Sequence, residues 1–401
     1  MNETTDNLEI KSPARVIRYS ILVGLLLIGL YILFKQTDHF RANDYTRYWL
    51  SSLVLLSGGD PYNSTGVLPA QEEKDLSLEQ SCITYNPPWT LPLLVPFGLI
   101  SRPAGQMLWL LIQISAILLC ASYIWRQYGG KKQHQWLAWL ISFTFGPVVA
   151  AVVLQGQITP IILLGLVGFI FFHDRQNKGW LAGISLVLAS IKPQLLTLFF
   201  IAFILWALFN KQWSPLIGLA SITLLLHLLI FVMDPHIYSQ YFQCLREKGP
   251  AVWANPSLGN YLRLLFKSSN FLLQFLPQVL GVIWVVLHWI RHRHAWLWVN
   301  ELPLILFVST ISSTYIWTYD MVILLLPVLL AFIWLVGERR YWMLAILTVV
   351  YLGINFLYLK LHLSMDDSKF FWLAPALFLW FFFVLIVHRK SENITLLGER
   401  A

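Results

Sequence analysis

Apolar runs of membrane length, separated by short polar connections, fill most of the chain. Residues 16–34 follow Arg15 and Arg18 and are long enough to cross a bilayer, which takes roughly 20 apolar residues. The next stretch has a different period. Over 44–57, Tyr45, Trp49, Leu53 and Leu56 recur at helical spacing, which predicts an amphipathic helix. Asn43 or Asp44 is placed to cap it, and Gly58-Gly59-Asp60-Pro61 ends it in a turn. Residues 67–81 are the most charged part of this segment and read as solvated. Residues 88–100 amount to about half a span, interrupted by Pro92 and Pro96, whereas 105–125 is a full one. Further runs occupy 136–154, 158–172, 179–191, 193–209, 214–233, 271–290, 296–313, 319–336, 341–359 and 370–387. No internal repeat or low-complexity linker interrupts them.

Charge orients these runs. Counting 88–100 and 105–125 as a single net crossing places the basic connections at 126–132, 173–178, Lys211, 291–294, 338–340 and 388–390 on one side. The positive-inside rule makes that side the cytoplasm. The half-length run then reads as a re-entrant or surface helix. The expected fold is an all-α polytopic membrane protein with about twelve crossings and both termini cytoplasmic. Its organisation is a disordered tail (1–12), one transmembrane domain (13–390) with outer loops 35–87 and 234–270, and a second cytoplasmic tail (391–401).

Composition agrees. Of 401 residues only 12% are charged and 57% are hydrophobic, about half the charged share of a soluble domain. The net charge of +8 lies in clusters between apolar runs, with no basic stripe or RNA-binding aromatic motif, so no nucleic-acid partner is expected. The first run is too long for a signal peptide and lacks a small-residue cleavage site, so it reads as a retained anchor. Three cysteines do not make a disulfide framework. Cys82 and Cys244 both fall in outer loops and could pair on an oxidising side, an alternative that stays open.

The topology gathers polar chemistry at one face: Arg41-Ala-Asn-Asp44-Tyr45, Gln155-Gly-Gln157, Lys192-Pro193, the long loop 234–270, Tyr319-Asp320 and 360–369. The cytoplasmic connectors are short and hold no nucleotide-binding glycine loop. Lys192 sits at a break made by Pro193, close to membrane depth. It suits a phosphate, or it snorkels to the surface. Gln155 and Gln157 bond sugar hydroxyls or form a turn between helices. Tyr85 and Asn86 contact a sugar or anchor at the interface. Tyr319 and Asp320 open a span, where a carboxylate suits the helix dipole or orients a donor. Asp60 reads chiefly as a turn former and Asp366-Asp367 as solvated. His227 reads as a lone residue bonded to a neighbouring helix, and His39, His236 and His362 are scattered without metal-ligand spacing.

In this order, Asp44, Gly-Gly-Asp60-Pro-Tyr62, Tyr85-Asn-Pro-Pro88, Gly156-Gln157-Ile-Thr, Gly183 with Lys192-Pro193-Gln194, and Tyr319-Asp320 before Leu-Leu-Leu-Pro327 resemble the glycosyltransferase-C superfamily. The closer resemblance is to the polyprenyl-phosphate-mannose-dependent alpha-mannosyltransferases of bacterial envelopes, from Arg15 to about His388. It implies transfer, with inversion, of a sugar from a polyprenyl-phosphate donor to a glycolipid or glycan hydroxyl. It places the site on the extracytoplasmic face of the plasma membrane and makes Asp44 the catalytic base. No D-x-D motif occurs in the outer loops, so no metal is expected, and no cofactor.

The chemistry asks for the same residue types. One carboxylate must take the acceptor proton. No acid partner is required, because the leaving group is already a phosphate, but cations or donors must hold that phosphate. Asp44 supplies the first, and Lys192 and Arg41 lead the second. Tyr45, Tyr85, Gln155, Gln157, Tyr319 and Asp320 complete the expected substrate contacts. A transporter or flippase shares the composition, but it keeps ionisable groups along a through-path and tends to show paired broken helices. A non-catalytic subunit that binds a lipid-linked sugar is the other alternative.

Overall fold

The computed structural model describes residues 43–63, 82–175, 178–248, 254–266, 271–337, 341–362 and 364–398. The tail 1–12, the first apolar run 16–34, Arg41 and the charged stretch 67–81 lie outside them. The described residues form helices and turns, with no strand among them. In order the helices are α1 (Asn43–Leu56), α2 (Leu91–Gly98), α3 (Arg102–Gln127), α4 (Gln135–Thr144), α5 (Gly146–Val149), α6 (Thr159–His173), α7 (Gly179–Ala189) and α8 (Thr197–Phe209). After these come α9 (Trp213–Met233), α10 (Ile237–Glu247), α11 (Leu258–Leu265), α12 (Leu276–His292), α13 (Trp298–Ser312), α14 (Leu325–Gly337), α15 (Tyr341–His362) and α16 (Leu373–Gly398).

Among the described residues six helical segments are long and apolar enough to cross a bilayer: Arg102–Gln127, Trp213–Met233, Leu272–His292, Thr318–Gly337, Trp342–His362 and Asp367–Arg389. Four more apolar helices are shorter, α6, α7, α8 and α13. The lipid-facing helices identify themselves by what they leave uncovered. Leu224, Leu228 and Phe231 on α9, Leu280 and Leu287 on α12, and Val349 and Phe356 on α15 are all exposed. Exposed apolar area on this scale is a liability in water and ordinary against lipid. The chain is a multi-pass membrane protein.

Inside the ring the packing is aromatic. Phe169 of α6 meets Phe199, Phe203 and Trp298 edge-to-face, with ring centroids 5.7, 5.7 and 5.2 Å away. That arrangement sets the positive ring edge against the negative face. The core holds α6, α8 and α13 together, and α13 in turn packs on α14, whose residues are almost all buried.

Three local features depart from the sequence expectation, and two of them position the polar residues of α1 and its neighbours. The run 136–154 is not one straight helix. It breaks at Phe145, which is extended, and the two parts meet at 69°. The cause is Pro147, which removes a backbone donor and crowds the preceding turn, so it opens a new helix rather than continuing the old one. The second part underwinds into a π turn over Ala150–Gln155 and stops at Gly156, left-handed at φ 65°. That conformation favours glycine, and it delivers Gln157.

The apolar stripe of α1 is also rotated from the expected one. Tyr45, Tyr48, Ser52 and Leu55 are buried, with Leu50 and Val54 beside them, while Leu56 is exposed. Asp44 lies in the first turn of the helix, which already starts at Asn43, and is not its cap. Lastly, the segment 234–270, expected as an outer loop, carries α10 and α11.

The mounting of α1 is tight. Gly98 lets α2 approach so closely that a Cβ there would lie 2.9 Å from the Ser52 and Leu53 backbone. Trp49 Nε1 donates to the Ile100 carbonyl at 3.0 Å. Tyr45 drops into a notch that a side chain on Gly105 would fill, with Phe97 and Trp109 each 6.1 Å away, centroid to centroid. Burying such a ring is worth about 1.5–3 kcal/mol. Because Tyr45 is anchored, its neighbour Asp44 is held in place.

Candidate active site

Beneath the start of α1 lies a cavity of about 420 Å³. Asp44 and Tyr48 come from α1, and Tyr85 and Asn86 from the segment before α2. Gln157 follows the left-handed Gly156, Lys192 follows α7, and Trp317, Tyr319 and Asp320 open the turn before α14.

Gln157 ties these groups together. Its Nε2 donates to Asp44 Oδ2 at 2.6 Å. Its Oε1 accepts from the Tyr48 hydroxyl at 3.0 Å and from Lys192 Nζ at 2.9 Å. The backbone carbonyl of Gln157 accepts from Gln113 Nε2, which steadies the residue from α3. Lys192 Nζ also donates to Asp320 Oδ1 at 2.7 Å, and Thr159 Oγ1 reaches the same oxygen at 2.9 Å. Asp320 Oδ2 accepts from the Trp317 backbone at 3.1 Å. Lys192 and Asp320 are both buried, and such a pair persists only when its remaining valences are satisfied. The Tyr319 ring completes the lysine's surroundings, 5.2 Å from Nζ.

Asp44 is half-buried and lines the cavity. Desolvation pushes its carboxyl above the usual aspartate value of 3.8, and outweighs the opposing pull of Lys192, Arg47 and the Gln157 bond. A carboxylate held above its ordinary pKa is a stronger base, as proton abstraction requires.

The outer wall of the cavity is the stretch of chain around residues 82–86. Arg47 Nη1 donates to the Cys82 carbonyl at 2.8 Å and to that of Ile83 at 3.3 Å. Cys82 forms a disulfide with Cys244 of α10. The Tyr85 hydroxyl accepts from the Cys82 amide at 3.0 Å and donates to the Lys248 carbonyl at 2.9 Å. The pairing that the sequence left open is therefore made, and it fixes α10 to this wall.

The structure thus brings Asp44, Tyr85, Gln157, Lys192, Tyr319 and Asp320 into one cavity. It does not bring in two other expected substrate contacts. Tyr45 is fully buried in the Phe97–Trp109 packing, because its position on the helix points into α2 and α3. Gln155 lies on the π turn before the glycine that reverses the chain, and does not line the cavity. Arg41 lies outside the described residues.

Elsewhere, Asp60 accepts from the Tyr62 amide at 2.8 Å, as a turn former does. Asp366 and Asp367 are not merely solvated: Asp366 lines the cavity. Asp367 accepts from the Thr318 amide at 3.0 Å and from its hydroxyl. His227 donates to the Thr223 carbonyl of its own helix at 2.7 Å, and stacks on Trp89 rather than bonding to a neighbouring helix.

Sequence reasoning passed over Tyr48 and Trp317. Tyr48 stands four residues after Asp44, hence on the same helix face, a signal that was available. Trp317 had no comparable mark among 19 tryptophans. Among the described residues no three His, Cys, Asp or Glu side chains converge as a metal site.

A second, apolar cavity of about 1070 Å³ opens between α8 and α9, lined by Trp89, Pro193, Phe200, Leu219 and His227. Gln194 lines both cavities. The polar chamber and the apolar groove therefore share a wall.

No curated protein and no solved structure matches the chain. The model of glycosyltransferase family 87 matches residues 84–314, a stretch that includes Tyr85, Gln157, Lys192 and the apolar groove, and that begins after Asp44 and ends before Trp317. That match spans more than half of the chain, and the chain belongs to glycosyltransferase family 87.

Proposed function

We propose that this glycosyltransferase transfers a sugar, mannose, from a polyprenyl-phosphate donor to a hydroxyl of a glycolipid or glycan, with inversion and with Asp44 as general base. The observation that carries the reading is the Asp44–Gln157–Lys192 linkage in a polar chamber that shares Gln194 with an apolar groove. The polyprenyl chain lies in the groove and enters sideways from the outer leaflet. The phosphate then comes to rest near Lys192, with Arg47 as a further cation on the chamber wall.

Asp44 takes the acceptor proton as the acceptor oxygen attacks the anomeric carbon. The bond from that carbon to the phosphate oxygen breaks on the opposite face, and the phosphate leaves with both electrons. Positive charge beside the phosphate stabilises it as it departs. Lys192 is already bonded to Asp320, so the phosphate joins an ion pair and does not meet a bare cation. Asp320 keeps the lysine placed while the chamber is empty.

The Cys82–Cys244 bond suits an oxidising compartment, in keeping with a site on the extracytoplasmic face of the plasma membrane. About twelve crossings with both termini cytoplasmic fit that orientation. The count requires the first apolar run, the bent pair that meets at Phe145 and the four short helices to cross as well.

The test is incubation of purified protein with radiolabelled polyprenyl-phosphate mannose and a membrane lipid extract. A labelled product from the natural protein, and none from an Asp44→Asn variant that still binds donor, supports the reading. No labelled product from the natural protein overturns it.

A further inference from the structure

Asn86 lies in the wall of the polar chamber with its backbone fully committed. Its amide donates to Thr84 Oγ1 at 3.2 Å, and its carbonyl accepts from the Tyr62 hydroxyl at 3.1 Å. The side chain is a different matter. The residue is only 6% exposed, yet its Nδ2 makes no hydrogen bond. The Tyr48 hydroxyl lies beside it but closes no bond of ordinary geometry, and sends its own proton to Gln157 Oε1. A buried donor left unmade costs free energy and calls for a partner that arrives later.

The surroundings narrow the kind of partner. An uncharged amide is a poor phosphate ligand beside Lys192 and Arg47, and a good match for a hydroxyl. Across the same chamber Trp317 and Tyr319 stand nearly parallel, 6.2 Å apart and 19° from coplanar. Such rings offer flat apolar faces of the sort that carry the C–H face of a pyranose. Asn86 also neighbours Tyr48, four residues along the helix from Asp44, so a ring held there has a hydroxyl close to the base.

We propose that Asn86 Nδ2 donates to a ring hydroxyl of a sugar seated in this chamber, and that it thereby selects sugars bearing that hydroxyl. The proposal deepens the reading of the chamber as a transfer site. It does not depend on a polyprenyl donor, because the chemistry recognised is the hydroxylated ring itself. A site that hydrogen-bonds a substrate hydroxyl rejects the analogue lacking it, since the buried donor is then left without a partner.

The experiment compares the natural protein with Asn86→Ala and Asn86→Asp. The first probe is methyl α-mannoside with its monodeoxy analogues, followed by saturation-transfer NMR in detergent. The second pair of probes is polyprenyl-phosphate mannose and bare polyprenyl phosphate, followed by titration. Loss of one bond to a buried donor weakens sugar binding by about 5- to 100-fold.

The expected result is that both variants lose affinity for methyl mannoside. One deoxy analogue should bind the natural protein as weakly as the full sugar binds the variants. If polyprenyl-phosphate mannose weakens while bare polyprenyl phosphate does not, the ring is the donor sugar. If both lipids bind unchanged and methyl mannoside weakens, it is the acceptor sugar. Unchanged sugar binding in the variants overturns the proposal. So does an equal loss for sugar-bearing and bare lipid, which would make Asn86 a part of the wall only. Absence of polyprenyl-phosphate mannose binding by the natural protein, with the methyl mannoside difference intact, counts against the donor and leaves Asn86 supported.

Discussion

Asp44 and Lys192 do not touch; they grip opposite ends of one carboxamide, Gln157 Nε2 toward the carboxylate and Oε1 toward the ammonium. The amide has a fixed polarity, so it presents a donor to the carboxylate and an acceptor to the ammonium at once. Placement of a base relative to a departing phosphate is worth several kcal/mol when it is preorganised. Here that placement runs through a single side chain.

Gln157→Leu removes the bonds to Asp44, Lys192 and Tyr48 while keeping the volume. Turnover should fall about a hundredfold with the melting temperature lowered only modestly, because the lost groups lie at the chamber wall. Gln157→Glu makes a sharper test. It sets a second carboxylate beside Asp44, so the pH at which activity rises should move upward. Initial rates across pH read both effects. An unaltered rate for Gln157→Leu removes the residue from the mechanism.

The Lys192–Asp320 pair should behave as a buried ion pair does. Lys192→Met and Asp320→Asn each leave one charge behind, and each should lower stability by about 3–5 kcal/mol. The double variant should recover much of that loss, because neither charge remains. Detergent thermal melts of the four proteins close the cycle. Additive losses would show that the two side chains do not depend on one another.

The Cys82–Cys244 bond makes a labelling prediction. Of three cysteines, Cys120 is the free one, and it is buried. All three are buried in the folded chain, so the native protein should resist maleimide, the denatured, unreduced protein should take one label and the denatured, reduced one three. Replacing both bridge cysteines by serine should cost about 2–4 kcal/mol of stability. It should also loosen the 82–86 wall, raising KM more than it lowers kcat. Three labels on the denatured protein without reductant would deny the bond.

Much of this was legible in the sequence, and the failures have physical causes. Membrane runs announce themselves by length and composition, so helix ends such as Thr159–His173 and Gly179–Ala189 fall within a few residues of expectation. Pairings between distant residues do not announce themselves. That Lys192 would meet Asp320, 128 positions on, depends on where α7 and the turn before α14 come to lie. Tyr45 looked like a site residue because it adjoins Asp44, but neighbours on a helix point about 100° apart, and the notch at Gly105 claimed it. Gln155 and Gln157 looked equivalent until a left-handed glycine turned one inward. The break at Pro147 could have been read from the sequence, since proline inside a run is a breaker signal.

The apolar groove offers a test of lateral entry. Ala220→Trp fills the space between α8 and α9, where Ala220 lines the groove. KM for a long polyprenyl-phosphate donor should rise tenfold or more, at about 0.8 kcal/mol for each CH₂ displaced. A donor whose lipid is only one or two isoprene units long should be much less affected. Equal effects on both donors would place the lipid elsewhere.

The raised pKa of Asp44 gives the last prediction, with opposite signs for stability and activity. An ordinary aspartate titrates near 3.8, and burial lifts Asp44 above that in the folded chain. From 3.8 up to the folded value, the folded chain holds a proton that the unfolded chain has released. Stability therefore falls as pH rises through that window, and above it the chain carries a constant penalty. Asp44→Asn cannot ionise, and its side-chain oxygen still accepts from Gln157. At neutral pH it should melt at the same temperature as the natural protein or higher. Activity runs the other way. The base works only when deprotonated, so the rate should rise with pH along a limb whose midpoint lies above 3.8, and Asp44→Asn should lose about 10²- to 10⁴-fold in kcat. A variant that is both less stable and still active would remove Asp44 from the role of base.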